Sequence, residues 1–281
     1  MRLTKILNMS NFKALITKAK KTPASIESLS IAELPKESTV KQSPGKCDTI
    51  VNVKYSNLNY KDALVVLGTY PGLKPPMVPG IDLVGTIESS ESGKFQAGDS
   101  VLINGFGVGT DHFGGFAEKA SVRHEWLMPL PSGLDPLDAA RIGTAGYTAM
   151  LCVDALKKGG VDPNAGEVLV TGASGGVGTV ALALLSELGY KVAAVTGKAD
   201  PDVAELLTKL GASSIVARSN FEADAKPLAK ETYVGAVDTV GGNVLTNIIT
   251  MVSYTTHCLK ITQNVSFEFF NFGIFHQFLS Y

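Results

Sequence analysis

The stretch EVLVTGASGGVGTVALALLSELGY, residues 167–190, constrains the fold more than any other part of the chain. A short apolar run is followed by glycines at 172, 175, 176 and 178, and apolar residues then recur with helical spacing. This order predicts a strand, a tight turn and a helix that ends at Gly189, where a left-handed cap is expected. Glycines in such a turn let the backbone bend sharply and let a pyrophosphate approach without meeting a Cβ atom.

The start of that helix would direct free N–H groups and the positive end of its dipole at the phosphate. A second strand, 191–196, ends in Thr196-Gly197-Lys198. Sites that prefer NAD place Asp or Glu there to bind the ribose hydroxyls, whereas a hydroxyl and a cation suit a 2′-phosphate. The pattern therefore favours NADP (NADPH). The alternative is a structural turn followed by one solvated lysine.

The composition limits the number of domains, the kinds of partner and the cellular compartment that the chain can have. A chain of 281 residues can form one or two domains with an ample core. Its formal net charge of −1 provides no electrostatic argument for nucleic acid or an anionic membrane as a partner. No apolar run reaches the roughly 18 residues that span a bilayer. Cys47, Cys152 and Cys258 are widely spaced, which argues against a disulfide scaffold and favours a reducing, cytoplasmic compartment.

The N-terminal residues 1–26 contain six basic side chains and no acid. This composition is also found in organelle transit peptides, which would indicate a mitochondrial protein. We favour a simpler interpretation, in which residues 12–17 form the first β-strand and Met9 is an alternative start. The basic run overlaps that predicted strand.

Residues 33–130 are predicted to be mostly β. The run TIVNVKY at 49–55 alternates with period 2, and short strands follow at 84–87 and 100–103. A short helix is predicted at 59–64 and a mobile loop at 105–115. Short strands joined by long loops suggest a compact barrel.

Residues 143–254 are predicted to be doubly wound, after a helix at 144–157. The predicted strands lie near 167–171, 191–196, 214–217 and 234–239, and the helices that alternate with them near 177–188, 201–210 and 243–252. Such alternation implies a parallel sheet with right-handed crossovers. The motif DTVG at 238–241 would lie at the carboxyl edge of the sheet, where ligands bind.

Four ordered motifs carry a family resemblance: SNLNYKDAL (56–64), PGIDLVGT (79–86), GVGTDHFGGFAE (107–118) and GTAGYTAMLCV (143–153). With the glycine-rich unit, the chain resembles the medium-chain dehydrogenase/reductase superfamily, in its zinc-free quinone oxidoreductase branch, and is most similar to the NADPH-dependent acrylyl-CoA reductases. The resemblance implies an α/β protein with a GroES-like β-barrel domain (12–133), a Rossmann NADP-binding domain (134–254) and a non-family tail (255–281). It also implies a small-molecule substrate, with hydride transfer from NADPH to the activated double bond of an α,β-unsaturated thioester or ketone, or to a quinone.

The resemblance further assigns cofactor contacts. Ser174, Gly175, Gly176 and Val177 would bind the pyrophosphate. Thr196, Gly197 and Lys198 would bind the 2′-phosphate, together with Arg218. Thr144 and Val240 would lie near the nicotinamide. Arg218 could instead be a solvated loop residue, and Thr144 could be a helix N-cap.

No metal site is predicted. Related zinc enzymes have Gly-His-Glu where this chain has Gly80-Ile81-Asp82, and no cysteine or histidine pair has ligand spacing. His112 could face the substrate or be a solvated loop residue. Without metal, an enolate oxygen formed by hydride addition needs a hydrogen-bond donor. Our catalytic candidates are Asn59 and Tyr60, which can donate without carrying charge. Alternatively, Tyr60 only packs between the domains and Asn59 caps the short helix.

The resemblance ends after Tyr254. Family members continue with two further strands and a return segment, whereas this chain has a phenylalanine-rich tail. We favour truncation of the Rossmann domain over the alternative of a replacement strand that pairs with the sheet edge. Truncation would leave the fourth strand without a neighbour and remove the usual interface of a homodimer. Three classes stay open: an active reductase, an NADPH-binding protein without turnover, and an inactive fragment.

Overall fold

The computed structural model describes residues 11–198, 200–225, 229–253, 257–261 and 267–271. Thirteen strands occur in these ranges: β1 (Phe12–Ile16), β2 (Ser25–Leu29), β3 (Thr49–Tyr55), β4 (Asp82–Ser90), β5 (Ser100–Asn104), β6 (Lys119–Val122), β7 (Met128–Pro129), β8 (Glu167–Thr171), β9 (Lys191–Thr196), β10 (Ser214–Ala217), β11 (Gly235–Asp238), β12 (His257–Ile261) and β13 (Phe267–Asn271). Five α-helices occur in them: α1 (Tyr60–Val66), α2 (Pro136–Lys158), α3 (Gly176–Glu187), α4 (Pro201–Lys209) and α5 (Gly242–Met251).

The chain divides into two compact units, and the division falls between Thr144 and Ala145, inside helix α2. The domain ranges inferred from the sequence stay predictions.

The first unit is built on an antiparallel sheet with strand order β6-β3-β4-β5-β7. Strands β1 and β2 form a separate antiparallel pair. Strand β3 has the predicted bounds, and the core of this unit includes Val51, Leu83 and Ile103. Period-2 alternation suits such strands because one face is buried and the other is exposed. The prediction of a β-rich N-terminal part is confirmed.

Helix α2 begins at Pro136 rather than at the predicted residue 144, because it consists of two helical segments joined by a kink at Gly143. Gly143 has φ 48° and ψ −163°, a conformation that glycine adopts without a steric penalty. A Cβ atom on this residue would also overlap the side chain of Asn57. The kink therefore requires glycine, and it makes Thr144 the first residue of the second segment.

The second unit contains a sheet with strand order β10-β9-β8-β11-β12-β13, parallel except for β13. Residues in the apolar runs of β8 and β9 alternate between two core clusters, so that Val168 belongs to one cluster and Leu169 to the other. Such strands are apolar throughout because a parallel sheet is covered on both faces. The prediction of a doubly wound unit is confirmed.

The prediction that the fourth strand of this sheet lacks a neighbour is wrong. Strand β12 pairs in parallel with β11, Val237 opposite Leu259, and β13 returns antiparallel to β12. The strand edge of β11 presents N–H and C=O groups that another strand can satisfy, and the tail provides that strand. Strand β12 thus takes the place of the missing neighbour, as in the alternative interpretation of a replacement strand.

The glycine-rich loop at 105–115 was predicted to be mobile, and the structure shows it closely hydrogen-bonded. The N–H of Gly109 donates to His112 O at 2.7 Å, and the N–H of Asp111 donates to Gly107 O at 2.8 Å. Val108 and His112 are fully buried. Its glycines permit tight backbone turns here, rather than movement.

Among the residues that the structure describes, no helix is long and apolar enough to cross a membrane.

Candidate functional site

The turn between β8 and α3 has the geometry that its glycines predict. Gly172 has φ 56°, and its carbonyl accepts a hydrogen bond from the N–H of Gly175 at 2.8 Å. Gly175 is the N-cap residue of α3. A Cβ atom on Gly178 would overlap the Gly172 carbonyl, so glycine at 178 lets the helix start close to the strand. The free N–H groups of the first helical turn are therefore available to an anion.

A cleft of about 320 Å³ opens at this turn. Seven of the predicted cofactor residues line it: Ser174, Gly175, Thr196, Gly197, Lys198, Arg218 and Val240. The hydroxyl of Thr196 accepts a hydrogen bond from the N–H of Lys198 and lies 3.2 Å from the Ser174 hydroxyl, which ties the end of β9 to the glycine turn.

Three predicted residues are not part of this lining. Gly176 and Val177 form the first turn of α3, and the Val177 side chain packs against the core, so only their backbone N–H groups suit phosphate binding. Thr144 belongs to the first unit.

An adjoining cavity of about 500 Å³ shares Thr196, Gly197, Lys198 and Arg218 with the first. Apolar residues of α4 and β10, including Ala204 and Ile215, line one part of this cavity, and the acidic side chains of Asp200 and Glu222 also border it. Apolar residues next to Lys198 and Arg218 match the chemistry of an adenosine that carries a 2′-phosphate. The residues of this unit therefore fit a phosphorylated dinucleotide.

Asp238, at the end of β11, orders the far wall of the cleft and was missed as a site residue. Its buried carboxylate accepts hydrogen bonds from the Thr171 hydroxyl at 2.5 Å and from the N–H of Gly241 at 2.8 Å. These bonds hold the turn that carries Val240. The sequence signal for this role is an aspartate at the end of an apolar strand. A carboxylate buried there needs hydrogen-bond donors from neighbouring loops.

In the first unit, the carboxylate of Asp82 is the centre of a buried hydrogen-bond network. It accepts from the side-chain nitrogens of Asn59 and Asn104, both at 2.8 Å. It also accepts from the backbone N–H of Thr144 at 3.0 Å and from the Thr144 hydroxyl at 2.5 Å. A negative group at the start of the second segment of α2 is favourable for the helix dipole. The sequence identified Asp82 only as the residue that replaces a zinc-type motif.

Asn59 is the N-cap residue of α1, as the alternative interpretation proposed. Its side-chain nitrogen donates to Asn57 Oδ1 and to Asp82 Oδ2, both at 2.8 Å. An amide nitrogen has two hydrogens, so both are engaged within this unit. Tyr60, the next residue, is 69% exposed. Within the part of the chain that the structure describes, no hydrogen bond engages its hydroxyl.

Asp62 holds the same helix in place. Its buried carboxylate accepts from the N–H groups of Gly80 and Ile81 at 3.0 and 2.9 Å, and from that of Asn59 at 2.8 Å. Burial raises the pKa of this carboxyl above its ordinary value, and the hydrogen bonds from the backbone oppose that increase. Asp62 thus fixes helix α1 to the loop before β4.

His112 is neither solvated nor available to a substrate, so both predictions for it are wrong. It is fully buried, with Nε2 2.8 Å from Ser121 O and its ring edge-on to Trp126 at 5.2 Å. Burial lowers the pKa of the imidazole. Among the described residues, no group of three or more His, Cys, Asp and Glu side chains is arranged to hold a metal ion.

A glycine turn with free N–H groups in a doubly wound unit, preceded by a β-rich unit with a buried polar network, is typical of the class of two-domain, nucleotide-dependent dehydrogenases and reductases. Comparisons with known proteins agree with this class. The alcohol dehydrogenase GroES-like domain matches residues 45–132.

Probable acrylyl-CoA reductase AcuI of Escherichia coli is 47% identical over 235 residues, covering 83% of this chain and 68% of that protein. Putative quinone oxidoreductase YhfP of Bacillus subtilis is 38% identical over 231 residues, covering 82% of this chain and 66% of that protein. Among solved structures, the yhdH oxidoreductase from Salmonella enterica in complex with NADP superposes with a TM-score of 0.81 at 45% identity, over 88% of this chain and 74% of that one. The chain belongs to the medium-chain dehydrogenase/reductase superfamily, in the branch that contains these reductases.

Proposed function

We propose that this chain is an NADPH-dependent reductase that transfers a hydride to the activated double bond of an α,β-unsaturated thioester or ketone, or to a quinone. The observation that carries the proposal is the cleft that brings the glycine turn, Lys198 and Arg218 together. The relatives named as an acrylyl-CoA reductase and a quinone oxidoreductase support the choice of substrate class.

In the second unit, the N–H groups at the start of α3 would bind the pyrophosphate. Lys198 and Arg218 would bind the 2′-phosphate, because a doubly charged anion between two cations is favoured over a hydroxyl. Val240, 42% exposed at the wall of the cleft, would pack against the nicotinamide side of the dinucleotide. When bound, the cofactor supplies the hydride.

In the first unit, we assign the hydrogen-bond donor for the developing enolate oxygen to Tyr60. Its hydroxyl is exposed, whereas the amide of Asn59 already donates to two neighbours. Asn59 would then act as a positioning residue, since it starts the helix on which Tyr60 lies. Thr144, bonded twice to Asp82, would shape the same region.

Two buried cysteines, Cys47 and Cys152, are free thiols, and burial raises the pKa of each to about 12. Inert, unpaired thiols suit a reducing compartment, and we propose the cytoplasm.

The experiment has two arms on the purified chain. A melting curve with and without NADPH is expected to show a rise in Tm on adding the cofactor, because a ligand that binds only the folded state stabilises it. Oxidation of NADPH is then followed with acryloyl-CoA, crotonyl-CoA and a quinone. A rise in Tm without turnover of any substrate would indicate a binding protein, and no rise would contradict the proposal altogether.

A further inference from the structure

The guanidinium of Arg218 lies over the backbone of Gly197, the residue that follows β9. A Cβ atom built on Gly197 would lie 2.7 Å from the central carbon of the Arg218 guanidinium and 2.9 and 3.0 Å from its two terminal nitrogens. The guanidinium plane therefore covers Gly197. A side chain at 197 would displace the guanidinium from this position, although the φ of Gly197 lies in a range open to other residues.

Glu222, four residues later, engages the same guanidinium. Its Oε1 accepts a hydrogen bond from Nε of Arg218 at 2.7 Å. Within the described residues, the terminal nitrogens of Arg218 make no hydrogen bond to the protein. Both side chains line the 500 Å³ cavity together with Lys198. The ion pair thus engages one nitrogen and leaves the terminal fork turned toward the cleft residues.

We infer that Glu222 is a positioning residue for cofactor specificity: it holds Arg218 over Gly197 so that the guanidinium fork is available to a 2′-phosphate. This inference rests on the proposed function, which requires a phosphorylated dinucleotide. An arginine side chain loses considerable conformational entropy when a ligand orders it. A guanidinium that is already held by Nε loses less, and a planar fork binds a phosphate through two parallel hydrogen bonds.

The alternative effect of Glu222 is repulsion, since its carboxylate lies beside the site for an anion. Two substitutions separate the effects. Glu222→Gln and Glu222→Ala remove the same charge, but the glutamine keeps an oxygen that can accept from Nε, and alanine does not. A difference between these two variants therefore measures orientation alone.

The test is equilibrium binding of 2′,5′-ADP and of 5′-AMP, a pair that differs in the 2′-phosphate, by calorimetry on the full chain. We expect Glu222→Ala to bind 2′,5′-ADP about tenfold more weakly than Glu222→Gln, with equal affinity of both variants for 5′-AMP. Equal affinities for 2′,5′-ADP would overturn the inference. If the unmodified chain itself does not prefer 2′,5′-ADP to 5′-AMP, the proposed NADPH site fails instead, which is a distinguishable result.

Two controls sharpen the result. In an Arg218→Ala background, the difference between alanine and glutamine at 222 is expected to disappear, because the two residues act through one contact. Glu205 makes the same type of i,i+4 ion pair, with Lys209, on the exposed surface of α4. Glu205→Ala and Glu205→Gln are expected to bind both ligands as the unmodified chain does.

Discussion

Asp82 accepts hydrogen bonds from both the backbone N–H and the hydroxyl of Thr144, at 3.0 and 2.5 Å. The residue that replaces a zinc-type motif therefore orders two elements, strand β4 and the second segment of helix α2. Its buried carboxylate has an acceptor role only, which explains why the surrounding side chains are asparagine and threonine donors.

Asp82→Asn is expected to destabilise the chain by about 2–4 kcal/mol. The new amide group would point its own hydrogens at N–H and O–H groups that now donate to the carboxylate. Urea unfolding measures the loss. Asp154→Asn breaks an exposed i,i+4 pair with Lys158 and should change the free energy of unfolding by no more than about 0.5 kcal/mol. Similar values for both variants would contradict a network centred on Asp82.

Tyr60→Phe should reduce kcat by a factor on the order of 10², the usual loss when one donor to a developing oxyanion is removed. Its Tm should not change, because the side chain is 69% exposed. Steady-state kinetics and a melting curve check both statements. Tyr147→Phe, at another exposed tyrosine, is the matched control. Full turnover by Tyr60→Phe would contradict the proposal that the Tyr60 hydroxyl is the donor.

Asn59→Ala should behave differently, with a lower Tm as well as a lower kcat. The amide donates to Asn57 and Asp82, so its loss removes one hydrogen bond from the buried Asp82 carboxylate and one from Asn57. An unchanged Tm with a reduced kcat would return Asn59 to a direct role in catalysis.

Gly172→Ala should abolish NADPH binding and destabilise the chain. The residue has φ 56°, and an added Cβ would overlap the Thr239 hydroxyl. Gly189 has φ 85° and open space around it, so Gly189→Ala tests the cost of a positive φ without a steric overlap. This substitution should lower the free energy of unfolding by about 1–2 kcal/mol. Chemical denaturation of the two variants compares them. A smaller loss at 172 than at 189 would show that the turn is not closely packed.

Lys198→Glu should raise the KM for NADPH at least about tenfold and change the KM for NADH much less, because in the proposed site the reversed charge would face the 2′-phosphate, which NADH lacks. Initial rates measured with each cofactor give the two KM values for comparison. Lys209→Glu, on the outer surface of α4, is the control. Equal changes for NADPH and NADH would exclude Lys198 from the 2′-phosphate site.

The free energy of unfolding should fall as the pH drops below about 6.5, the ordinary pKa of a histidine side chain. Burial lowers the pKa of His112 in the folded chain, so the unfolded chain binds the extra proton first. The penalty grows from pH 6.5 downward and is complete below the folded pKa. Unfolding free energies of the unmodified chain and of His112→Gln, measured from pH 7.5 to 5, should diverge in this range. Parallel curves would mean that His112 does not contribute.

Much of the fold was predictable, because the signals were local. The bounds predicted for β3, β8, β9 and β10 are those of the structure, and glycines directly border β8 and β9. Helix α2 was predicted less well. Its kink lies at Gly143, where the space for a Cβ atom is taken by Asn57, a residue far away in the sequence.

The candidate site divides in the same way. The glycine turn and the residues after β9 could be predicted, since phosphate binding needs a particular backbone conformation that adjacent residues create. The network around Asp82 joins Asn59, Asn104 and Thr144, and no spacing rule connects them. The loop that contains His112 also appeared mobile from its glycines, although its hydrogen bonds keep it buried.

By itself, the sequence determined the alternation of strands and helices from β8 to α5, the glycine turn after β8 and the class of cofactor, because each depends on residues that are neighbours in the chain. Only the tertiary structure decided that Tyr60 has the available hydroxyl, that Asn59 is already engaged, that Glu222 holds Arg218, and that β11 has a partner strand. Whether a donor is free or satisfied depends on groups brought together from distant parts of the chain, and burial then fixes how much each contact contributes.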